Sequence, residues 1–163
     1  MADDQTILAE LVAQFPALKD KARVQRARRL VAEVPYADFA PVFDHLIKRQ
    51  GFVILCTITG LDLGADLGLI YHLAREDGAV LNLMTAVPKD RPVVQSVMNY
   101  FPAAETYERE VVDLLGFDVR GLPPGPRYPL PDIWPAGQFP LRKDWNAEML
   151  EQALPKPQEA HDA

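Results

Sequence analysis

The chain has 163 residues, 48% of them hydrophobic, a formal net charge of −6 and a pI near 5.0, which sizes it for one domain with a real core rather than two. An acidic chain lacks the positive surface that nucleic acid demands. The single cysteine, Cys56, can build neither a disulfide framework nor an iron–sulfur site, which takes about four thiolates.

Taken in order, Ile7, Leu8, Leu11, Val12 and Phe15 fall at helical spacing and predict a helix over 4–15, with Asp3 or Asp4 as N-cap and Pro16 as its end. This N-terminal helical segment is bounded as 1–20. Lys19, Lys21, Arg23, Arg26, Arg28 and Arg29 then put six of the seventeen cations into eleven residues, read either as a solvated edge or as a docking face. Alternation of Val24, Leu30, Ala32 and Val34 against Arg29, Val31 and Glu33 predicts one strand over 23–34. Pro35 leads into a helical stripe of Phe39, Val42, Phe43, Leu46 and Ile47 closed by Gly51. The β-branched run 52–59 predicts a strand covered on both faces, and 60–68, with Gly60, Gly64 and Gly68, a loop. Strands over 69–75 and 79–87 meet at Glu76-Asp77-Gly78, where Asp-Gly is a strong hairpin signal. Pro92 suits the first turn of a helix running to Tyr100, and Phe101-Pro102 breaks it. The whole predicts an α+β domain over 21–120: a mixed, mainly antiparallel sheet of about four strands with helices on one face. No apolar run of about 18 residues occurs and the start does not resemble a leader, which predicts a cytosolic protein held at any membrane by other subunits.

The most informative stretch is Tyr107-Glu108-Arg109-Glu110-Val111-Val112-Asp113-Leu114-Leu115-Gly116. Tyr107, Val111, Leu114 and Leu115 share one helical face, and Gly116 stops the helix. Seven of the fifteen prolines lie beyond it, between 123 and 140. A segment so poor in N–H donors joins neither helix nor central strand and must run extended over a surface. It is bounded as a docking tail over 121–147, with 148–163 expected to be disordered.

Glu105, Glu108, Glu110 and Asp113 invite comparison with paired-carboxylate acid/base sites, yet no nucleophile or histidine accompanies them. Charge pairing with Arg109, or with Arg127, Arg142 or Lys143 of the returning tail, is the simpler role. His45, His72 and His161 lie on separate elements and form no metal set, and no phosphate-binding glycine motif is present. Trp134 and Trp145 would each plug a hole, in this domain or in a partner.

The linked motifs Tyr107-Glu108-Arg109-Glu110-x-x-Asp113-x-x-Gly116, Gly121-x-Pro123, Arg127, Leu130-Pro131-Asp132-x-Trp134 and Pro140-Leu141-Arg142-Lys143-Asp144 resemble the 30-kDa subunit family of respiratory complex I, which includes the corresponding subunits of energy-converting [NiFe] hydrogenases. The chain departs from that pattern at Gly121-Leu122-Pro123-Pro124-Gly125-Pro126-Arg127, where most quinone-reducing members carry Gly-His-Pro-Asp-Leu-Arg-Arg. The resemblance implies a structural subunit without cofactors, peripheral on the cytoplasmic side of the inner membrane. It would pack on a large hydrogenase-like catalytic subunit, beside partners that carry iron–sulfur clusters and, in a hydrogenase, nickel–iron. That departure and the short stretch after Asp144 favour a hydrogenase-type complex over an NADH- or quinone-linked one. Two other readings stand beside it: an independent enzyme using the Glu108/Asp113 cluster, and a free module whose prolines bind aromatic grooves.

Overall fold

Alternation of apolar side chains decides which side of the sheet is covered. In the computed structural model, which describes residues 3–154, the strands β1 (Ala22–Arg26), β2 (Arg29–Glu33), β3 (Ile54–Asp62), β4 (Asp66–Ala74) and β5 (Val80–Pro88) form one mixed sheet in the order β1-β2-β5-β4-β3. Register sets Ile58 opposite Tyr71, Tyr71 opposite Leu83 and Leu73 opposite Leu81, and the parallel β2–β5 pair continues the row to Leu30 and Ala32. These residues are all buried, so one face of the sheet carries the core.

Three helices cover that face: α1 (Asp4–Gln14), α2 (Tyr36–Lys48) and α3 (Ala104–Leu115). From α1 come Ile7, Leu8 and Leu11, and from α2 come Phe39, Val42, Phe43 and Leu46. The Phe39 and Phe43 rings lie 4.8 and 5.4 Å from that of Tyr71. α3 lays Val111 and Leu115 on Gly60, where a Cβ would run into Leu115 and come within 3.1 Å of Val111. The opposite face is open, with His72 hydrogen-bonded to Asn82 and Thr59. No helix among the described residues is long and apolar enough to cross a membrane.

The α+β class, the mixed sheet and the helices on one face are as the sequence predicts, and five parts differ. The strand expected over 23–34 is a hairpin of β1 and β2. Its turn rests on Arg28 at φ 62°, held by its N–H to Asp4 Oδ2 at 2.7 Å and its guanidinium to Asp77. Arg28 is therefore structural, while Lys19, Lys21, Arg23 and Arg26 are exposed. The strand at 52–59, expected to be covered on both faces, is the edge strand β3, with Val53 and Ile54 49% and 46% exposed. Gly60 and Gly68 lie within β3 and β4, and only residues 63–65 form the loop. The expected helix at 92–100 is instead the short strand β6 (Val93–Gln95), paired in parallel with β7 (Asp118–Arg120), and turns continue the chain after it. Finally, Ala147–Ala153 forms a short helix, α4, where an unstructured end is expected; His161 and the rest of 155–163 lie outside the described residues.

The contact at Gly60 makes a direct prediction. Gly60→Val forces a branched side chain between β3 and α3 and should destabilise the fold by about 1–3 kcal/mol, the usual range for overpacking. Thermal melts of the two proteins check it, and equal midpoints would mean that α3 does not rest on β3.

Candidate functional site: the signature helix and the tail it holds

α3 has one face in the core, and its other faces meet the segment C-terminal to it. Gly116 ends it in the left-handed conformation, at φ 76°. A Cβ there would sit 2.6 Å from the Phe139 ring and 2.8 Å from Arg142 Nη2, so glycine is required by the turn and again by the returning tail.

The tail has few N–H donors, so side chains of the domain bind its carbonyls instead. Arg109 Nη2 donates to the Pro123 carbonyl and to Glu105 Oε1, both at 2.8 Å. Arg127 Nε donates to Asp113 Oδ1 at 3.0 Å and its Nη1 to the Trp134 carbonyl at 2.6 Å. Asp113 Oδ2 accepts the Leu130 N–H at 3.3 Å. Further on, the Leu141 N–H reaches the Leu114 carbonyl at 3.1 Å, and Arg142 Nε the Leu115 carbonyl at 2.7 Å. These are two of the last carbonyls of α3, which have no partner within the helix. The Arg142 guanidinium lies 4.6 Å from the centre of the Phe139 ring.

The end of the signature is fixed by two residues to which the sequence drew no attention. Asp62, at the close of β3, accepts the Lys143 N–H at 2.9 Å, and Lys89 Nζ bridges Asp62 and Asp144 at 2.8 and 2.9 Å. The bond from Lys89 holds the Asp62 carboxyl well below the usual range, helped by the Lys143 and Gly64 amides. Asp62-Leu63-Gly64 is an Asx-type turn, the one local signal that could have pointed there. The Lys143 side chain takes no part in this anchor. Among the remaining signature residues, the Pro131 carbonyl accepts the Trp134 N–H at 2.9 Å, and Pro140 is half-buried. The Trp134 and Trp145 rings lie 6.0 Å apart, tilted by 31°, each donating its indole N–H to Gln138.

The acids of α3 do not converge. Asp113 faces Arg127, and Glu110 lines a groove beside β3. Glu108, only 2% exposed, points inward, where its Oε1 accepts the Val97 N–H at 2.7 Å and its Oε2 has no partner. It ties α3 to the chain leaving β6, and burial pushes its pKa up against the opposing Val97 hydrogen bond. A cleft of about 610 Å³ between α2 and that chain is lined by Tyr36, Phe43, Ser96, Tyr100 and Arg120; of the signature only Gly121 reaches it. Among the described residues no three His, Cys, Asp or Glu side chains are grouped to hold a metal.

These contacts can be broken one at a time. Asp113→Ala or Arg109→Ala should free the tail. Breaking a buried pair costs about 3–5 kcal/mol, and less where a partner reaches water, as the 30% exposed Arg127 side chain does. Limited proteolysis should cut faster between 121 and 140, and an unchanged pattern would mean that the prolines alone set the path. For Glu108 the folded pKa lies above the ordinary 4.5. As pH rises past 4.5 the unfolded chain loses that proton first, binds fewer protons than the folded one, and stability falls. Glu108→Gln keeps the acceptor for Val97 and should flatten that fall in a melting series across the acid range; parallel profiles for the two proteins would contradict it.

Comparison with known proteins agrees with this geometry. Residues 32–150 match the family described as the respiratory-chain NADH dehydrogenase 30 kDa subunit, a span that includes α3 and the tail. A subunit of the F420H2 dehydrogenase of Methanosarcina mazei is 32% identical over 88% of this chain and 92% of its own length. The membrane-bound hydrogenase subunit beta of Pyrococcus furiosus is 36% identical over 51% of this chain and 50% of its own. A chain of the membrane-bound sulfane sulfur reductase, an archaeal respiratory membrane complex, superposes with a TM-score of 0.74 at 28% identity, over 98% of this chain and 97% of that one. The chain belongs to the 30-kDa subunit family of respiratory-chain NADH dehydrogenase, whose members are subunits of complex I and of related energy-converting membrane complexes.

Proposed function

We propose that this chain is a non-catalytic subunit in the peripheral part of a membrane-bound redox complex, and that residues 121–147 are the surface by which it grips the large catalytic subunit. The observation that carries the reading is the way the tail is held. Its carbonyls, amides and charged groups are bound by Arg109, Asp113, Asp62 and Lys89 of the domain, while Tyr128, Ile133 and Leu141 stand 46%, 73% and 55% exposed. A pre-shaped segment with apolar side chains turned outward docks at a smaller entropic cost than a flexible loop. Trp134 and Trp145 face each other, so these three residues take the role of anchors in a partner's pockets.

The carboxylates of α3 support this role over an independent enzyme, since each has separate surroundings and none faces a shared cavity. Electron carriers then belong to partner subunits: iron–sulfur clusters, and nickel–iron in a hydrogenase. The Gly121–Arg127 segment, which lacks the histidine and aspartate of the quinone-reducing pattern, supports a hydrogenase-type complex over an NADH- or quinone-linked one. The place we assign to the subunit is the cytoplasmic face of the membrane.

The experiment is purification of the tagged full chain from its native source in mild detergent, with metal analysis of the proteins that accompany it. A large hydrogenase-like subunit and membrane subunits should co-purify, with nickel present in a hydrogenase-type complex. A chain recovered alone would overturn the reading. β7 and the buried Phe117 belong to the domain, so a truncation that tests the tail must fall after residue 122 rather than after Gly116. That truncation should keep its circular dichroism and lose the complex; full retention would place the docking surface elsewhere.

A further inference from the structure

The five-stranded sheet has two edges, β1 and β3, and the chain treats them differently. β1 has five residues, carries Arg23 and Arg26 with Lys21 just ahead, and has α1 packed against it. Short length, cations and a covering helix are the means by which proteins refuse an extra strand. β3 has nine residues without Lys, Arg, Glu or Pro, and its single acid, Asp62, is already engaged by Lys89 and the Lys143 N–H. A bulge at Cys56 interrupts the ladder once and leaves Thr57–Asp62 as a regular run. Of the main-chain groups of β3 outside its pairing with β4, only the Cys56 carbonyl has a partner among the described residues, the Tyr107 hydroxyl at 3.0 Å. The remaining outward N–H and C=O groups repeat at strand spacing, and another strand is the partner that satisfies such a row.

The surroundings of this edge specify its occupant further. A groove of about 170 Å³ runs between β3 and α3, walled by Ile58, Gly60, Val111, Leu114 and Leu141. Glu110 also lines it and forms no ion pair among the described residues. Leu141 belongs to the tail, so edge and tail make one continuous surface, and Val53, Ile54 and Leu63 add exposed apolar area at the two ends of β3. We infer that the Thr57–Asp62 edge accepts an extended segment of a partner subunit as a sixth strand, with an apolar side chain in the groove and a basic one at Glu110. This rests on the subunit role proposed above. It adds a main-chain contact that the tail alone does not provide.

Hydrogen–deuterium exchange on the full chain, alone and within the purified complex, tests it. Amides of 57–62 that exchange fast in the isolated protein should become protected in the complex. Thr59→Lys, at an exposed site, should leave the circular dichroism unchanged and lower the yield of associated subunit by about tenfold. Complex-dependent protection of the tail but not of 57–62 would overturn the inference and leave the subunit role standing. Failure to co-purify at all would strike at that role instead. Protection that grows with concentration in the isolated protein would show that a second copy of this chain, not a partner, fills the edge.

Discussion

The carboxylate of Asp113 is the point on which the C-terminal third of the molecule depends. Its side chain is 9% exposed, set on a helix whose other face is locked into the core, and it holds both the Arg127 guanidinium and the Leu130 amide. A proline-rich segment cannot fix itself, because it lacks the donors for a ladder or a helix. Its path must come from outside, and α3 supplies it three times: at Arg109, at Asp113, and at the free carbonyls of Leu114 and Leu115. Gly116 makes the last of these possible by admitting Phe139 and Arg142 where any side chain would block them.

The same helix serves the domain in the other direction. Glu108 faces the chain that leaves β6, and β6 in turn pairs with β7, the strand from which the tail departs. One helix thus fixes both the origin of the tail and its course. This explains how acids of that cluster can matter without a nucleophile: Glu108 holds the chain after β6, Asp113 holds the tail, and Glu105 braces Arg109. It also explains why Lys89 and Asp62 matter although they stand far from the signature in sequence, since they fasten its far end.

Much of this was legible in the residues. The α2 stripe, the Asp77-Gly78 turn and the Gly116 stop are strong local signals, and the structure has all three. The Asp113–Arg127 pair was within reach because an arginine in a donor-poor tail needs an acid. The misses have equally physical causes. The β1–β2 turn uses Ala27-Arg28, with no glycine, proline or asparagine, and is stabilised by Asp4 and Asp77 from elsewhere in the chain. Pro92 reads as a helix start, but Val93-Val94 pairs with a strand 25 residues further on. Gly60 reads as a loop residue, yet it is small because α3 rests on it. In each case a tertiary contact overrides a local preference. The sorting of tail aromatics into self-packed and outward-facing could not be read from composition, because it depends on which side chain reaches Gln138.

The central claim is that the domain shapes the tail before any partner arrives. Backbone NMR of the isolated chain tests it most directly through three amides that no helix or sheet protects: Leu130 on Asp113, Leu141 on Leu114, and Lys143 on Asp62. Slowed exchange is expected at all three, with rigid order parameters across 127–143. Exchange at the rate of an open chain would contradict it, and would mean that the tail takes its shape only from the partner it meets.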